Sequence, residues 1–338
     1  MSGEEFATLL KRVAGGETLN AAQSSVAFAA IMAGEVSAIR IAALLGALAV
    51  RRPTVEEITG AVRAMRAAMT AIESGPGAID LCGTGGDGIG TVNISTACAF
   101  VVAACGVPVA KHGNRNMSSK SGTADCLEAL GVKIDLTPAR ASRCLREAGL
   151  CFLFAQAFHP AMKHAAPVRK ELGFRTIFNL LGPLSNPARV RRQLIGVYDA
   201  SWCVPLAQVL GTLGAESAWV VHGDGLDEIA ISGPSHVAIL AAGKVTTRDI
   251  GPEEAGLSWS PKSALAGGTA EENAAALTRL FDGETGAYRD IVLINAAAAL
   301  IVAGKADKLR DGAALAAQAI DGGAARAKLA QLVAVSNA

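Results

Sequence analysis

Residues 78–96 read AIDLCGTGGDGIGTVNIST, and this stretch decides the fold that the sequence predicts. A short apolar run (78–82) precedes five glycines between Gly83 and Gly90, and a second apolar run begins near Ser95. That order is typical of a strand, a glycine-rich loop and a helix. Glycines let backbone N–H groups approach a ligand closely, and a helix N-terminus adds oriented donors and partial positive charge. The stretch therefore predicts a phosphate-binding loop.

Two other phosphate motifs fit this loop less well. Its glycines satisfy G-x-G-x-x-G, but in a dinucleotide-binding fold the helix starts inside the glycine pattern and an acidic residue ends the next strand. Here the helix is predicted to begin later, and the next strand (107–110) is followed by Lys111 and His112. No G-K-[ST] follows, which excludes a Walker A loop. A tight strand-to-helix turn without a ligand remains the alternative.

Composition is typical of a globular protein with a large core. The chain has 338 residues, of which 51% are hydrophobic and 4% aromatic, and a formal net charge of +1. This length favours two domains, and the small charge predicts no nucleic acid and no membrane as partner. Seven cysteines without a C-x-x-C pair indicate free thiols in a reducing compartment. Because the first residues lack the basic-then-apolar order of a signal peptide, we expect a soluble, cytoplasmic protein.

The hydrophobic pattern divides the chain into a helical start and an alternating remainder. Residues 1–73 are predicted to form a helical domain, whose last helix begins with a capping box at Thr54 and Glu57 and extends to about Ile72. The linker SGPG separates it from residues 74–338. The predicted fold class is α/β, a largely parallel sheet covered by helices, with a smaller all-helical N-terminal domain that helices from about residues 160–185 join. Strands are predicted at residues 78–82, 107–110, 132–136, 150–155, 193–198, 217–222 and 228–232.

A basic loop, KHGNRNMSSKSGTAD at residues 111–125, follows the second predicted strand of the α/β part. It combines Lys111, His112, Arg115 and Lys120 with serines and asparagines, before a helix predicted from about Ser121. Loops at the carboxyl ends of neighbouring parallel strands face the same crevice, so we expect this loop to face the glycine-rich loop. Cations, hydroxyls and helix amides bind phosphate, and the two loops together predict a ligand with more than one phosphate. A solvated surface loop is the alternative.

An acidic loop, VHGDGLDE at residues 221–228, places Asp227 and Glu228 next to each other after a strand. Two carboxylates about 5 Å apart repel by about 3 kcal/mol at an effective dielectric of about 20. A divalent cation would reverse this repulsion, and magnesium prefers oxygen ligands that it shares with substrate phosphates. The two side chains converge only in an irregular loop, which Gly223 and Gly225 permit. An exposed acidic turn is the alternative.

Other polar residues give weaker signals. His159 and His164 are five residues apart, off one helical face, and do not predict a metal pair. Arg169 follows Pro167 in a short predicted helix, and residue chemistry by itself assigns it no role. No G-x-S-x-G motif is present, which argues against a covalent hydrolase.

Several motifs, in order, resemble the anthranilate phosphoribosyltransferase family. They are GTGGD (83–87), NIST (93–96), KHGNR (111–115), SSKSG (118–122) and DE (227–228), together with RTIFNLLGPLSNP (175–187) and NAAAAL (295–300). The resemblance extends over almost the whole chain. It implies transfer of the phosphoribosyl group of 5-phosphoribosyl 1-pyrophosphate to the amine of anthranilate in tryptophan biosynthesis, with Mg2+ as cofactor and with a homodimer as the usual assembly.

The resemblance also implies roles for individual residues. Ser95, Asp227 and Glu228 would bind metal. Gly83, His112, Asn114 and Arg169 would line the anthranilate path, where the Arg169 guanidinium suits a carboxylate. No residue is assigned as a general base, because an aromatic amine is already unprotonated at neutral pH and the reaction needs positioning and stabilisation of the leaving pyrophosphate. The phosphoribosyl donor would be bound by Gly83, Gly86, Asp87, Thr91, Asn93, Ile94, Ser95, Thr96, Lys111, His112, Gly113, Asn114, Arg115, Asn116, Met117, Ser118, Ser119 and Thr123.

Two other functions share parts of this pattern. A pyrimidine nucleoside phosphorylase also has a helical domain beside an α/β domain and a glycine-rich phosphate loop. It needs one phosphate and no magnesium-bound pyrophosphate, so the KHGNR motif and the paired acids speak against it. A relative that has lost catalysis and binds nucleic acid or another ligand is disfavoured by the complete motif set and the balanced charge.

Overall fold

Four helices form a bundle at the start of the chain: α1 (Gly3–Ala14), α2 (Ala21–Ala33), α3 (Ala38–Arg51) and α4 (Val55–Ala68). The computed structural model describes residues 3–85, 88, 90–115 and 121–338. Thr54 and Glu57 form the predicted capping box, in which Thr54 N donates to Glu57 Oε2 at 2.8 Å. Helix α4 ends earlier than predicted because the following residues leave it to bond elsewhere. Ile72 N, for example, donates to Pro187 O at 3.1 Å.

The described residues form a sheet of seven strands: β1 (Ile79–Gly83), β2 (Val109–Gly113), β3 (Leu150–Phe154), β4 (Arg192–Gly196), β5 (Ser217–Gly223), β6 (Ser235–Ala241) and β7 (Lys244–Ile250). The order across the sheet is β3-β2-β1-β4-β5-β6-β7. The first five strands in this order are parallel, and β6 and β7 are antiparallel to their neighbours. This confirms the predicted fold class. The chain order reverses between β1 and β4, and ligands of open α/β sheets bind at the carboxyl ends of the strands beside such a point.

Helices cover both faces of the sheet. Among the described ranges, none of these helices combines the length and apolarity needed to cross a bilayer. The α-helices that follow β1 in the described chain are α5 (Ile94–Ala104), α6 (Thr123–Ala129), α7 (Pro138–Ala148), α8 (Ala155–Phe158), α9 (Ala166–Leu172), α10 (Ile177–Leu181), α11 (Cys203–Thr212), α12 (Ala270–Phe281), α13 (Ala287–Val302), α14 (Leu309–Asp321) and α15 (Ala324–Asn337).

The sheet separates two hydrophobic cores within the described part of the chain. One core lies between α5, α13 and the face that carries Leu194, and the other runs from the face that carries Ile195 into the N-terminal bundle. Helices α9 and α10 contact α3 and α4, and the rings of Phe28 and Phe178 meet edge to face with centroids 5.7 Å apart. The helices after residue 160 thus pack on the bundle. The division into two domains near residue 73 stays a prediction.

The strand predicted at residues 132–136 is wrong. Val132, Ile134 and Leu136 alternate in burial as strand residues do, but their backbone has no neighbouring strand in the described structure. Lys133 N donates instead to Ser336 Oγ on α15 at 3.2 Å. The segment is an extended connection whose apolar side chains pack without a ladder of hydrogen bonds.

The strand predicted at residues 228–232 is also wrong, because this segment is an irregular loop. The sequence analysis instead missed β6 and β7, which form a hairpin. Their two-residue turn contains Ala242 and Gly243 with φ of 49° and 75°. Positive φ at both positions matches the twist of a hairpin, and Ala-Gly is a weak signal for it compared with Asn-Gly.

Two glycines, Gly83 on β1 and Gly196 on β4, lie opposite each other in the parallel ladder at the carboxyl ends of these strands. A Cβ at Gly83 would lie 2.2 Å from Asp227 Oδ2, and a Cβ at Gly196 would lie 1.5 Å from Asp227 O. The absence of both side chains therefore allows the loop that contains Asp227 to rest directly on the sheet.

The substitution Gly196→Ala is expected to destabilise the fold more than Gly83→Ala. The new methyl group meets backbone at position 196 but the end of a rotatable side chain at position 83, and overpacking of a fixed site costs about 1–3 kcal/mol or more. Urea unfolding of both variants measures the difference. An equal or smaller loss for Gly196→Ala would contradict the contact with the Asp227 backbone.

Candidate active site

The glycine-rich loop is anchored where it leaves β1. Thr84 N donates to Gly196 O at 2.9 Å, and Thr84 Oγ1 accepts from Tyr198 N at 3.0 Å. Gly85 N donates to Asp227 Oδ2 at 2.7 Å. The glycine-rich loop and the acidic loop are thus joined directly.

The same loop is anchored again where it approaches α5. Gly267 N donates to Gly90 O at 2.9 Å, and Val92 N donates to Leu265 O at 3.0 Å. Between these bonds, Thr91 forms an isolated antiparallel bridge with Ala266. The predicted site residues Gly86 and Asp87 lie outside the described residues.

A buried ammonium group lies at the N-terminus of α5. Lys111 is 3% exposed, and its Nζ donates to Leu81 O at 2.6 Å and to Ser95 Oγ at 3.1 Å. Ser95 is in the first turn of α5, where the helix dipole is positive. Lys111 and Ser95 therefore form one cluster with the helix end, and the positive charge of the cluster suits a phosphate group.

The acidic loop is irregular, as convergence of its carboxylates requires. Residues 223–226 form a tight turn in which Asp224 and Gly225 have φ of 48° and 85°. The backbone of Ile229, further along this loop, is bound by the buried side-chain amide of Asn295. Ile229 N donates to Asn295 Oδ1 at 2.9 Å, and Asn295 Nδ2 donates to Ile229 O at 2.8 Å. Asn295 thereby fixes the chain immediately after Glu228.

Glu228 and Lys111 lie within electrostatic reach of the same thiol. Burial raises the pKa of Cys98 on α5, the carboxylate of Glu228 raises it further, and Lys111 opposes the rise. Cys82 on β1 is affected in the same way by burial, by Asp80, by Lys111 and by Glu228. Glu228 and Lys111 therefore act with opposite sign on the same two thiols, one on β1 and one on α5.

Ser95, Asp227 and Glu228 offer a hydroxyl and two carboxylates, all oxygen donors. Magnesium is bound in proteins by one or two carboxylates together with waters and substrate phosphates, so this donor set fits it. No group of three or more His, Cys, Asp or Glu residues with metal-binding geometry occurs in the described ranges.

Two histidines are buried side by side next to these loops. The rings of His112 and His159 have centroids 5.0 Å apart. Burial lowers the pKa of His112 to about 3 and that of His159 to about 4, with His159 also lowering the pKa of His112. One ring nitrogen of each bonds to a carbonyl, of Gly182 and Ser185 respectively, and each Nε2 lacks a partner. Both rings are neutral at pH 7 and present an unprotonated nitrogen.

Asp80 supports the strand that carries His112. Its side chain is fully buried, and Oδ1 accepts from His112 N at 3.0 Å. Burial raises the pKa of Asp80, and Asn186, Lys111 and His112 oppose the rise. The carboxylate is thus part of the internal framework beneath the predicted site.

In the described part of the basic loop, Arg115 forms ion pairs with other residues of the protein. Arg115 Nη1 donates to Asp125 Oδ1 at 2.8 Å and Arg115 Nη2 to Glu128 Oε1 at 2.8 Å, and these partners raise the Arg115 pKa. Asn114 Oδ1 accepts from Arg115 N at 2.8 Å. The structure thus holds Arg115 against α6 by carboxylates, a contact that the sequence analysis did not foresee. Asn116, Met117, Ser118 and Ser119 lie outside the described residues.

The remaining residues that were predicted to bind the phosphoribosyl donor lie near the start of α5 and α6. Thr96 Oγ1 donates to Thr123 Oγ1 at 3.4 Å, and a Cβ at Gly113 would lie 3.4 Å from Thr123 Cβ. Ile94 is 2% exposed, so its side chain belongs to the core and only its backbone is available to a ligand. The side chain of Asn93 accepts from Asn273 Nδ2 at 2.9 Å.

Arg169 is a half-buried cation on α9. Its guanidinium carbon lies 5.4 Å from the centroid of the Phe178 ring, and burial lowers its pKa. No carboxylate in the described part of the chain forms an ion pair with it. Phe178 belongs to α10, and the carbonyls that bind the two histidines follow directly after this helix. Arg169 and the histidine pair therefore share one supporting segment, residues 177–185.

The sequence analysis missed three supporting residues, namely Asn273, Asn295 and His159. The last was considered only as a metal ligand with His164. Asn295 carried one signal, a lone amide within an apolar helix, where a buried polar group needs a partner. No local pattern marks Asn273, which reaches Asn93 across 180 positions of sequence.

Lowering the pH below about 6.5 is expected to destabilise the protein through the histidine pair. The folded pKa values of about 3 and about 4 lie below the ordinary value of 6.5, so the unfolded chain binds more protons in this window. Stability is therefore lost as pH falls from about 6.5 towards 4, and this effect is absent at higher pH. Urea unfolding across this range measures it.

His159→Gln is expected to make this loss of stability shallower, because it removes one of the two titrating rings. His164→Gln, which changes a partly exposed histidine outside the pair, is the control. An identical pH dependence for wild type and His159→Gln would show that the pair does not cause the loss.

The chain matches two family descriptions that together cover most of its length. Residues 7–69 match the glycosyl transferase family, helical bundle domain, and residues 75–326 match the glycosyl transferase family, a/b domain. Among curated proteins, the anthranilate phosphoribosyltransferase of Rhodopseudomonas palustris (strain BisB18) is 60% identical over 335 residues, covering 99% of each chain. The same enzyme of Nitrobacter hamburgensis is 56% identical with the same coverage.

Solved structures agree with these matches. Anthranilate phosphoribosyltransferase from Thermus thermophilus superposes with a TM-score of 0.93 at 45% identity, covering 97% of this chain and 99% of that one. The enzyme from Saccharomyces cerevisiae in complex with PRPP and Mg superposes with a TM-score of 0.90 at 25% identity, covering 99% of each. The chain described here therefore belongs to the anthranilate phosphoribosyltransferase family.

Proposed function

We propose that this chain transfers the phosphoribosyl group of 5-phosphoribosyl 1-pyrophosphate (PRPP) to the amino group of anthranilate, giving N-(5-phosphoribosyl)anthranilate and pyrophosphate in tryptophan biosynthesis. The observation that carries the proposal is the cluster of Lys111, Ser95 and the α5 N-terminus, beside the joined glycine-rich and acidic loops. It combines positive charge for phosphates with carboxylates for a metal at a single sheet edge. Family membership adds the identity of the two substrates.

The donor is proposed to bind along the carboxyl ends of β1 and β2. The N-terminus of α5 and the Lys111 ammonium supply N–H donors for phosphate oxygens. The residues proposed to bind the donor are those named in the sequence analysis. Arg115 can bind a phosphate of the donor only if that phosphate displaces the carboxylates of Asp125 and Glu128 from its guanidinium group. Without Arg115, the described part of the site still supplies the buried ammonium group of Lys111 and the N-terminus of α5.

Mg2+ is proposed as the cofactor, held by Ser95, Asp227 and Glu228 together with the pyrophosphate of the donor. When bound, it would neutralise charge on the pyrophosphate group that leaves. The chain contributes the fixed position of the acidic loop, since Gly83 and Gly196 allow it to rest on the sheet and Asn295 fixes it from the other side. A yeast relative solved with PRPP and Mg supports this choice of metal.

Anthranilate is proposed to bind between Arg169 and the histidine pair, close to Gly83 and Asn114. A half-buried guanidinium without a carboxylate partner in the described structure suits the anthranilate carboxylate, because pairing removes the penalty of an isolated buried charge. The unpartnered Nε2 of His112 suits the amino group, which has an N–H to donate. A pKa of about 3 makes this nitrogen a hydrogen-bond acceptor rather than a strong base.

Catalysis in this site follows from positioning and electrostatics. An aromatic amine is neutral at pH 7, so its lone pair needs alignment with the ribose carbon and no prior deprotonation. Holding two reactants in line is worth roughly 7–11 kcal/mol of the barrier. Lys111 and the α5 amides stabilise the negative charge that develops on the departing pyrophosphate. The proton released from the amine then leaves to solvent or through the histidine pair.

The purified protein is expected to consume anthranilate when it is mixed with Mg2+ and PRPP. Loss of anthranilate fluorescence measures the reaction continuously. No loss with fresh substrates, beside an active relative, would contradict the proposed function. Phosphate-dependent cleavage of thymidine in a parallel assay would favour a nucleoside phosphorylase instead.

The substitution Arg169→Ala tests the proposed anthranilate site. It is expected to raise KM for anthranilate by at least tenfold, because a charge-assisted pair is worth about 1.5–3 kcal/mol, and to leave KM for PRPP nearly unchanged. Lys170→Ala, at the neighbouring exposed lysine, should change neither constant. Equal effects of Arg169→Ala on both substrates would remove Arg169 from the acceptor site.

A homodimer is proposed to form through the outer face of α3. Ile39 is 82% exposed and Val50 is 89% exposed, and they are the two most exposed large hydrophobic side chains of the described chain. Eleven residues of α-helix are close to three turns, so both lie on one face, with Ala43 between them. An apolar helix face of this kind is typical of contacts between identical subunits.

The double substitution Ile39→Glu and Val50→Glu is expected to convert a dimer into a monomer, because it places like charges in a self-complementary contact. Light scattering coupled to size exclusion measures the mass. Trp259→Glu, at a 52% exposed hydrophobic residue elsewhere, is the control and should keep the wild-type mass. A monomeric wild-type protein would contradict the proposed homodimer.

A cytoplasmic location and the absence of nucleic-acid or membrane partners belong to the same proposal. A formal net charge of +1 gives no global attraction to polyanions, and the free thiols suit a reducing compartment.

A further inference from the structure

Asn273 lies behind the N-terminus of α5, and both ends of its amide are used. The residue is 2% exposed and belongs to the first turns of α12. Its Oδ1 accepts from Gly268 N at 2.8 Å, and its Nδ2 donates to Asn93 Oδ1 at 2.9 Å. Because the backbone N–H of Gly268 can only donate, the orientation of the Asn273 amide is fixed, and so is that of Asn93.

This bond keeps the side chain of Asn93 away from its own helix. Asn93 occupies the N-cap position of α5, where asparagine ordinarily accepts from one of the first backbone amides. It makes no such bond here, and its ψ is 76°. Asn20, at the N-cap of α2, has ψ of 169° and accepts from Gln23 N. Two asparagines at the same helical position thus behave differently within one chain.

The amides that a capping Asn93 would use remain open. Within the described residues, the backbone N–H groups of Ser95 and Thr96 have no acceptor, whereas those of Ile94 and Ala97 bond to Val92 O and Asn93 O. Ser95 and Thr96 are the second and third residues of α5, the positions that an N-cap side chain ordinarily engages. Their amides point out of a helix end that also carries the Lys111 ammonium.

Further bonds hold Asn93 from the same side. Tyr288 donates from its hydroxyl group to Asn93 O at 3.2 Å, and the segment 265–267 pairs with residues 90–92. A Cβ at Gly267 would lie 2.5 Å from Thr91 O, so this pairing is close. Asn273 is the one described residue that bonds to the Asn93 side chain.

We propose that Asn273 is a positioning residue for donor binding: by holding the Asn93 side chain, it prevents Asn93 from capping α5 and leaves the Ser95 and Thr96 amides open to a phosphate group. This inference rests on the proposed binding of PRPP at the α5 N-terminus. Asn273 itself touches no substrate and acts through Asn93. An anion then meets donors that need not first break an internal hydrogen bond.

The substitution Asn273→Ala tests the inference. It frees the Asn93 side chain to cap α5, so an anion must compete with it. The expected result is about a tenfold rise in Kd for inorganic pyrophosphate, measured by calorimetry with Mg2+ present, which corresponds to about 1.4 kcal/mol. KM for PRPP should rise by a similar factor, while kcat and KM for anthranilate at saturating PRPP should change less than twofold.

Two controls separate this role from a structural one. Thr269→Ala removes the cap of α12, in which Thr269 Oγ1 accepts from Glu272 N, and so loosens the same turn without touching the Asn273 amide. It should lower stability and leave the pyrophosphate Kd unchanged. In an Asn93→Ala background, Asn273→Ala should have no further effect on Kd, because no side chain is left to cap the helix.

Two outcomes would overturn the inference. One is an equal rise in Kd for Thr269→Ala, and the other is a full additional rise when Asn273→Ala is added to Asn93→Ala. Asn273→Ser, which keeps a small polar group in the buried position, gives the same comparison if Asn273→Ala does not fold. Since pyrophosphate binding is measured without anthranilate, a protein that binds pyrophosphate but does not consume anthranilate would refute the proposed function and still test this inference.

Discussion

The contact of Asp227 with the ends of β1 and β4, through its side chain at Gly83 and its backbone at Gly196, is the constraint on which the site depends. Gly83 and Gly196 face each other in the ladder, and neither position has room for a methyl group. The acidic loop therefore lies directly on the point where the strand order reverses. From there Asp227 accepts from Gly85 N, so the acidic loop and the glycine-rich loop are fixed by one another. The proposed metal site depends on this contact, because it brings a carboxylate of the acidic loop to the glycine-rich loop.

Buried amides provide the second level of support. Asn295 binds both backbone groups of Ile229, Asn273 binds Asn93, and Asn186 accepts from Ala188 N and donates to Ala110 O. Each amide donates and accepts without carrying charge, so it can bind a loop backbone or a partner amide inside the core without the desolvation penalty of an ionised group. Titratable side chains are buried as well, among them Asp80 in the framework beneath the predicted site and Lys111 at the N-terminus of α5.

The two halves of the site differ in their electrostatics. Lys111, the α5 N-terminus and the acidic loop form a charged region suited to pyrophosphate and a metal. The histidine pair and Arg169 form a drier region, in which burial keeps both rings neutral and lowers the Arg169 pKa. A polyanionic donor and a flat aromatic acid with one carboxylate need these two environments side by side. Segment 177–185 supports the region of the histidine pair and Arg169 and also packs against the helical bundle, which links the bundle to the proposed anthranilate site.

The amino-acid sequence by itself determined the elements with local signals: the capping box at Thr54, the strand and the helix on either side of the glycine-rich loop, and the parallel α/β class. Periodicity, glycines and capping residues act over a few positions, so they can be read in order. Only the tertiary structure decided which polar groups meet. Strand pairing excluded residues 132–136 from the sheet, although their apolar pattern fits a strand. Carboxylates on α6 hold Arg115, and Asn273 holds Asn93 across 180 positions, because contacts of this kind depend on how distant segments pack.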